Sequence, residues 1–355
     1  MKRTLIIAVA LLGIACIGAG VVLYAPWSSE SSSESTSRSS TVSRGVYVVS
    51  ATTGDVIKID PATRRTETIG LGAAYLATIA VAGDYLYYAS SNGSSRSTIG
   101  RYDLATDKND PAFVAEEFYA PFLGTSPTQP DVLFVGERGL SPANIQKWSV
   151  SSDDEPSLVA RTEHGPMGSN LQDFEISADG TRIWSACGAP YDFVELDTSD
   201  LRLSGRIFPA VPYPKSVDAV SVGPTEYLLG GVDSDDETTH LYTLSDPTSH
   251  IRLDAAQNTD VAGSVALSPD ASKIYRVVPS EDGVRASIET VSADTGAVLA
   301  TRPVMLSQYF ADRIQTDPAN GMVFVSLEDG VGVLDPNGTL VETVPVAGPG
   351  QIVIT

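Results

Sequence analysis

The sequence predicts an all-β chain built from one repeated four-stranded unit, with a single membrane helix in front of it. Short apolar segments and polar turns recur along the 355 residues, at spacings of 43 to 48 residues. The 30 glycines and 22 prolines, together with many Val, Thr, Ser and Tyr residues, favour strands and turns over helices. An uncharged, mostly apolar run of 20 residues near the N-terminus is long enough to cross a bilayer as a helix.

The N-terminal segment, residues 1–27, is predicted to be an uncleaved signal anchor. Lys2 and Arg3 precede the apolar run and the next basic residue is Arg38, so the N-terminus is expected to face the cytoplasm. A cleaved signal peptide usually has an apolar region of about 7–15 residues followed by a small-x-small cleavage site. The run here is longer, and Leu23 stands where a small residue would be needed. The rest of the chain is therefore expected on the extracytoplasmic side of a cell membrane, held by a single-pass helix.

Two alternatives for the anchor remain open. The sequence Gly-Ile-Ala before Cys16 loosely resembles a bacterial lipoprotein motif, in which the cysteine is lipidated after cleavage. Cleavage without lipidation would instead give a secreted protein. The serine-rich residues 28–44 cannot bury enough apolar surface to fold, and they are predicted to be a flexible linker.

Three recurring segments define the repeat. An apolar segment appears seven times, first at 46–49 and last at 322–325. A hairpin with an Asp-containing turn precedes it, most clearly at 174–184 and 265–275. Asp and Ser begin turns readily because their side chains accept hydrogen bonds from backbone N–H groups just ahead. A strand ending in such a turn follows each apolar segment, and the leading turn residues are Asp60, Asp103, Ser149, Asp197, Ser245, Ser292 and Asp335.

Four antiparallel strands per unit, repeated seven times, predict a seven-bladed β-propeller over residues 45–355. The first strand, beginning near Val46, matches the second strand of a unit, whereas residues 350–355 match a first strand. The C-terminal strand is therefore expected to complete the first blade and close the ring, which removes open sheet edges. This repeat excludes a single immunoglobulin-type sandwich, which has about 100 residues.

The turn motifs also carry a resemblance to a known group. A Ser-x-Asp hairpin occurs at 177–180 and 268–270, and an Asp-x-x-Thr or Asp-Thr-Gly turn occurs at 60–63 and 293–296. These motifs resemble those of YVTN-type bacterial β-propellers, a broad group that includes quinoprotein-like and lactonase-like proteins. The resemblance covers nearly all of residues 45–355 and implies the propeller fold. Because such propellers include binding scaffolds and enzymes, the resemblance leaves the function open.

The charge of the chain limits its partners. Residues 45–355 hold 19 basic and 42 acidic residues, so the part expected outside the membrane has a formal net charge of −23, against −21 for the whole chain. Nucleic acid is not expected as a partner, because binding phosphates requires a basic surface. The expected partners are the membrane, through the N-terminal helix, and a small molecule or a protein at the propeller face.

Motifs for metal, cofactor or nucleophilic chemistry are scarce. His164, His240 and His250 are the only histidines of the sequence, and none has a second histidine at metal-ligand spacing. The sequence contains no phosphate-binding loop and no GxSxG elbow. Acidic segments at 152–155 and 233–237 lack the glycine and distal glutamate of a calcium loop, so they are interpreted as solvated surface loops. We therefore predict neither a metal nor a cofactor.

The candidate site is the mouth of the central channel, where the loops that lead into the innermost strands converge. Tyrosines together with Lys, Arg and carboxylates would suit a partly polar small molecule or a peptide there. The predicted ligand-binding residues are Tyr75, Tyr119, Asn170, Gln172, Tyr213, Lys215, Asp260, Tyr309, Asp312 and Arg313.

Two functions remain open from the sequence. The favoured one is a membrane-tethered, extracytoplasmic binding or interaction scaffold without catalysis. The alternative is a lactonase-like or lyase-like hydrolytic enzyme with its site at the channel mouth, where His164 would act as a general base beside a carboxylate such as Asp312. A quinone-dependent dehydrogenase is less well supported, since Trp148 and Trp184 alone do not supply a tryptophan-rich docking site.

Overall fold

A computed structural model describes most of the chain beyond the predicted anchor, and all described residues belong to the unit Ser40–Thr355. These residues contain strands and turns only, which confirms the all-β prediction, and they include no helix that could span a membrane. The predicted anchor, Cys16 and the linker up to residue 43 lie outside them. The described residues are 44–91, 93, 96–137, 144–151, 154–162, 169–189, 193–208, 214–222, 225–232, 239–243, 246–253, 265–279, 285–307 and 314–355.

The described strands follow one another along the chain with short connections. In order they are β1 Val46–Ser50, β2 Asp55–Ile59, β3 Thr66–Ile69, β4 Tyr75–Ala82, β5 Tyr85–Ser91, β6 Arg96–Asp103, β7 Lys108–Tyr119, β8 Pro121–Ser126, β9 Gln129–Glu137, β10 Asn144–Ser149, β11 Ser157–Arg161, β12 Ser169–Ile176, β13 Arg182–Ala189, β14 Phe193–Asp197, β15 Leu203–Phe208, β16 Pro214–Val222, β17 Thr225–Val232, β18 Thr239–Thr243, β19 Asp246–Leu253, β20 Val265–Leu267, β21 Lys273–Pro279, β22 Arg285–Ser292, β23 Val298–Met305, β24 Ile314–Thr316, β25 Val323–Leu327, β26 Gly330–Leu334, β27 Leu340–Val344 and β28 Pro349–Ile354.

The strands of the described chain form seven antiparallel sheets of four strands each. Six sheets consist of four consecutive strands, from β4–β7 to β24–β27. The remaining sheet, which we call the first, has the order β28-β1-β2-β3 and so combines the two ends of the described chain. This arrangement follows from the repeat, because each apolar segment pairs with the segments next to it in sequence.

Seven edge strands contact one another and define the centre of the fold. We call β4, β8, β12, β16, β20, β24 and β28 the inner strands, because each contacts the inner strands of the sheets before and after its own. The C-terminal strand β28 thus contacts both β4 and β24.

The hydrophobic core lies between neighbouring sheets. Strands such as β1 and β25 are buried along their whole length, as expected for apolar runs that are covered on both faces. Tyr87 and Phe118 of the second sheet pack with Trp148 of the third, and the Phe118 and Trp148 rings meet edge to face at 6.1 Å between centroids. Phe324 of the last sheet packs with Val48 of the first. Each sheet is therefore stabilised by its two neighbours.

The two ends of the described chain are joined at one face. The backbone N–H of Thr355 donates to the Gly45 carbonyl at 3.1 Å, and the Gly45 N–H donates to the Thr355 hydroxyl at 3.1 Å. Arg44 forms an ion pair with the carboxylate of Asp317, which is fully buried in the first turn of the last sheet. These contacts fix the N-terminal end of the described chain against β28 and the last sheet.

The connections between strands fall on two faces of the fold. In a meander of four antiparallel strands, the first and third turns lie at one end and the second turn lies at the other. We call the first of these ends the turn face, and the other the mouth face, from which the chain enters each inner strand. Described turns of the turn face include 60–65, 103–107, 177–182, 197–202, 268–273, 292–297, 317–322 and 335–339.

Candidate functional site

The inner strands enclose a cavity at the centre of the fold. Each inner strand is the edge of its sheet, so one side of its backbone has no partner strand within that sheet. Residues of β4, β8, β12, β16, β24 and β28 line a cavity of about 590 Å³, which we call the lumen. This volume lies within the range of small-molecule sites, about 300–1,000 Å³.

Side chains of the inner strands bind the exposed backbone edges of their neighbours. The Gln351 side-chain oxygen accepts a hydrogen bond from the Ile79 N–H at 2.7 Å and one from the Thr78 hydroxyl at 3.0 Å. The Thr125 hydroxyl donates to the Val81 carbonyl at 2.8 Å. Buried edge groups of β4 therefore receive partners from β28 on one side and from β8 on the other, which avoids the cost of leaving them unsatisfied.

Two aspartates make the same kind of contact on the opposite side of the lumen. Asp173 of β12 accepts a hydrogen bond from the Val217 N–H of β16 at 3.0 Å, and its other oxygen accepts one from the Phe174 N–H at 2.9 Å. Asp218 of β16 accepts one from the Leu267 N–H of β20 at 2.7 Å. An ionised carboxylate makes strong hydrogen bonds of this type. These acids hold successive inner strands together.

The lumen combines apolar walls with acceptor groups. Phe122, Phe174 and several aliphatic side chains line it together with the carboxylates of Asp173 and Glu175. Gln315 and Gln351 and the hydroxyl residues Thr125, Ser126 and Thr355 complete the polar part of the lining. Among the lining residues that the structure describes, none is Lys, Arg or His. The described lining therefore combines two acidic residues, two amides and three hydroxyl residues with apolar walls.

The turn face is built from aspartate turns. Asp179 accepts hydrogen bonds from the Ser177 hydroxyl at 2.6 Å, from the Thr181 N–H at 3.0 Å and from the Thr181 hydroxyl at 2.7 Å. Chiefly the Ser177 hydroxyl holds the pKa of Asp179 at about 2, well below its ordinary value of 3.8. Gly180 follows with φ +69°, where a Cβ atom would lie 2.0 Å from the Thr128 hydroxyl of the preceding sheet. The turn at 268–272 repeats this hydrogen bonding through its own Ser and Asp residues.

Polar groups at the turn face also connect neighbouring sheets. The ammonium group of Lys147 donates to the Thr198 carbonyl of the next sheet at 2.9 Å. Lys273 donates in the same way to the Pro336 carbonyl at 2.7 Å, and the Tyr275 hydroxyl donates to that carbonyl at 2.9 Å. Burial raises the pKa of Tyr275 to about 12, so its phenol stays protonated as a donor. These side chains of the turn face thus hold neighbouring sheets together.

Three of the predicted ligand-binding residues have described side chains. Tyr75 is the first residue of β4 at the mouth face, and 62% of it is exposed. Tyr119 ends β7 at the same face, and its N–H donates at 3.0 Å to the buried carboxylate of Glu137. Gln172 lies within β12 and is partly buried. Tyr75 and Tyr119 thus stand at opposite edges of the second sheet.

For the remaining predicted residues the structure describes either the backbone alone or nothing. Asn170 and Lys215 lie near the starts of the inner strands β12 and β16, and only their backbone placement is described. The mouth site as a whole stays a prediction. The residues that lie outside the described part of the chain are Tyr213, Asp260, Tyr309, Asp312, Arg313 and the candidate base His164.

Sequence reasoning missed the polar residues of the lumen itself. Asp173, Glu175, Gln315 and Gln351 all lie inside inner strands rather than in the loops that precede them. A signal for them exists in the sequence, since each interrupts an otherwise apolar strand, as Asp173 and Glu175 do around Phe174. Because only the edges of the inner strands face the lumen, this signal could be read only after the sheets had been placed around a centre.

Comparisons with known proteins define the class of fold. No family model matches the chain, and no curated protein matches it in sequence. Among solved structures, a protein of Bacteroides uniformis provisionally named 6-phosphogluconolactonase matches with a TM-score of 0.62 and 13% identity, over 88% of this chain and 99% of that one. A Bacteroides fragilis protein of the same provisional name matches with a TM-score of 0.61 and 13% identity, over 89% of this chain and 99% of that one.

A third match is described outright as a propeller. The Cps50 (Swd1) β-propeller domain of Myceliophteria thermophila matches with a TM-score of 0.58 and 11% identity, over 79% of this chain and 89% of that one. The chain therefore has a β-propeller fold. At these identities the likeness concerns the fold alone, and the resemblance to the YVTN-type group stays a prediction.

Proposed function

We propose that this protein is a membrane-tethered, extracytoplasmic binding protein whose lumen and channel mouth hold a small molecule. In this proposal residues 1–27 form the anchor, residues 28–44 form the linker, and residues 45–355 form a seven-bladed propeller closed by the C-terminal strand. The seven sheets and the position of β28 between β4 and β24 support the ring. The N-terminal apolar run and the basic residues before it support the anchor.

The main observation that supports a binding function is the presence of the lumen. Its volume of about 590 Å³ and its mixture of apolar walls with a few polar groups are typical of small-molecule sites. The described side chains of the turn face, by contrast, are engaged in turns and in contacts between sheets. This division leaves two places for a ligand: the lumen, whose lining reaches the turn face at Gly83, Pro127 and Pro130, and the mouth face, where the chain enters the inner strands.

A fragment screen tests the lumen site. Saturation-transfer NMR of the full chain, kept in solution by an uncharged detergent, would be recorded with a fixed set of cationic, neutral and anionic fragments. Gln315→Trp places an indole in the lumen and is expected to abolish the signals of the fragments that bind there. Val341→Trp is the matched control, because Val341 is 59% exposed on the outer strand β27. Signals that are absent with the wild type, or that survive Gln315→Trp, would contradict the proposal.

A lactonase-like enzyme is the second candidate function. The two Bacteroides proteins of similar fold carry a lactonase name, which favours this reaction over other hydrolytic ones. His164, which lies outside the described residues, is the residue proposed as general base. Hydrolysis of a panel of sugar and acyl lactones by the full chain, lost in His164→Ala, would support the enzyme and contradict a purely binding role.

A further inference from the structure

The lumen extends further toward the turn face than toward the mouth face on the two inner strands whose side chains are all described. On β4 and β28 the lining begins only at Ile79 and Gln351, beyond the ends at which the chain enters these strands from the mouth face. It then continues past the ends of both strands to Gly83 and Thr355 at the turn face. The predicted mouth site and the lumen therefore lie at different ends of these strands.

The rim of the lumen at the turn face consists of open positions. Pro127 and Pro130, at the connection between β8 and β9, line the lumen and are exposed. At Gly83, which also lines it, nothing lies within 4 Å of an added Cβ atom. An entrance needs exposed lining residues of this kind, because a ligand must pass from the solvent to the buried walls.

Hydrogen bonds between inner strands mark the mouthward limit of the lining. The Gln351 side-chain oxygen accepts from the Thr78 hydroxyl at 3.0 Å and from the Ile79 N–H at 2.7 Å. Thr78 is buried and does not line the lumen. Asp173 accepts from the Val217 N–H at 3.0 Å at the corresponding depth of β12 and β16. These bonds hold the inner strands together at the end of the lumen opposite the turn face.

The charged groups of the lining are already engaged within the fold. Both oxygens of Asp173 accept backbone N–H groups, one from Val217 and one from Phe174. Glu175 also takes part in an interaction, and none of the described lining residues is basic. A charged ligand would therefore lose its hydration without gaining a free counter-ion in the described lining, a cost that an uncharged ligand avoids.

The walls of the lumen suit an apolar body with few polar groups. Leu123, Ile176 and Ile354 belong to three different inner strands and line the lumen. Ser126 and Thr355 add hydroxyl groups near the rim. Burying apolar surface against such walls is favourable, and a hydroxyl can both donate and accept a hydrogen bond.

We propose that the lumen takes an uncharged, largely apolar small molecule and admits it from the turn face. This inference rests on the proposed function of the lumen as a small-molecule site. The ligand passes the rim at Gly83, Pro127 and Pro130, and its apolar body comes to lie against the aliphatic walls. The engaged carboxylates of β12 serve the fold and leave the ligand without an ionic partner.

Three probes with one ring system test the charge preference. They are 2-naphthol, naphthalene-2-sulfonate and trimethyl(2-naphthyl)ammonium, which differ mainly in charge at pH 7. Fluorescence titration of the full chain in an uncharged detergent should give a Kd for 2-naphthol roughly tenfold lower than for either ion, because burial of an unpaired charge is costly. The variant Gln315→Trp, titrated in the same detergent, supplies the signal that does not come from the lumen.

Stopped-flow fluorescence with 2-naphthol tests the entrance. Pro127→Trp narrows the rim at the turn face and should lower the association and dissociation rate constants several-fold by the same factor, with the Kd unchanged. Pro130→Trp is a second rim variant that keeps the test available if Pro127→Trp does not fold. Ala347→Trp is the matched control, since it places the same side chain at an exposed position of the loop that enters β28 at the mouth face. It should leave both rate constants unchanged.

The outcomes separate this inference from the function on which it rests. Slower binding in Ala347→Trp, with unchanged rates in both proline variants, would overturn entry from the turn face. Equal or tighter binding of either ion would overturn the preference for an uncharged ligand, and both results would leave the lumen as a small-molecule site. A fragment screen and a probe series that both give no signal dependent on Gln315 would overturn the proposed function as well.

Discussion

Single aspartates organise the turns of this propeller. Asp179 and Asp270 each accept a hydroxyl and a backbone N–H, and Asp60, Asp103 and Asp197 accept backbone N–H groups just ahead of them. These bonds favour the ionised carboxylate and lower the pKa of all five aspartates. Because a lowered pKa in the folded state means that the ionised form stabilises the fold, the turns link stability to pH.

We expect Asp179→Asn to lower the free energy of unfolding at pH 7 by about 1 kcal/mol, the size of a typical hydrogen-bond contribution. The folded pKa of Asp179 is about 2 and its ordinary value is 3.8. The stabilisation by the charge is therefore complete above the ordinary value and is lost as the pH falls toward 2. Urea unfolding at pH 7, 4 and 2.5 should show the wild type and Asp179→Asn converging as the pH falls.

The matching control is Glu342→Gln, which removes a carboxylate from an exposed position on β27. It should leave the unfolding free energy at pH 7 unchanged. A constant difference between wild type and Asp179→Asn across the three pH values would contradict the role assigned to the Asp179 charge.

At the residue scale the sequence predicted local turns better than it predicted hydrogen bonds between distant residues. Asp179 could be assigned to a hairpin because its hydrogen-bond donors lie within two residues of it. Gln351 and Ile79, in contrast, are 272 positions apart, and Asp173 and Val217 are 44 apart. Local spacing carries no information about such pairs, since they form only when separate sheets come together.

At the scale of elements, glycines let neighbouring sheets approach. Gly124 of β8 and Gly136 of β9 lie beneath the Phe174 ring of the fourth sheet. A Cβ atom on Gly124 would lie 2.5 Å from the Phe174 ring, and one on Gly136 would lie 2.4 Å from a Leu171 methyl group. Phe174 thus packs on the bare backbone of two adjacent strands, and its ring also lines the lumen.

Gly124→Ala should therefore lower the free energy of unfolding by about 1–3 kcal/mol, the usual cost of overpacking a core. Gly70→Ala is the matched control, because nothing lies within 4 Å of a Cβ atom at that position. Thermal unfolding of the two variants beside the wild type gives the comparison. Equal melting temperatures for the two variants would contradict the close approach at Gly124.

The C-terminal strand β28 connects the first sheet with the sheets on both sides of it. β28 supplies the inner strand of the first sheet, pairs with β1 and contacts both β4 and β24. Gln351 adds its two hydrogen bonds to β4, and Thr355 is bonded to Gly45. Loss of this strand would expose one edge of β1 and the flanks of two neighbouring inner strands, and exposed edges of this kind favour aggregation.

Deletion of residues 351–355 is expected to lower the melting temperature severely and to promote aggregation. Thr355→Val is the matched control, since it removes one hydroxyl and keeps the strand. Differential scanning calorimetry with light scattering would measure both effects. A deletion variant that melts like the wild type would contradict the closing role proposed for the C-terminal strand.

The sequence predicted the all-β class because every repeat carries its own turns and apolar segments. It also paired residues 350–355 with the first unit, since the N-terminal unit lacked a first strand. The lumen could not be predicted in the same way. Its lining depends on which strand edges meet at the centre, and residues such as Gln315 and Gln351 look like ordinary strand positions until that geometry is known.

The mixed origin of the first sheet bears on how the protein is made. A ribosome delivers β1 before all the other described strands and β28 after them. During that interval the first sheet remains three-stranded, with β1 as an unpaired edge. A chain cut short before β28 would contain the strands of every other sheet and yet leave β1 as an open edge, by which cellular proteases could recognise it.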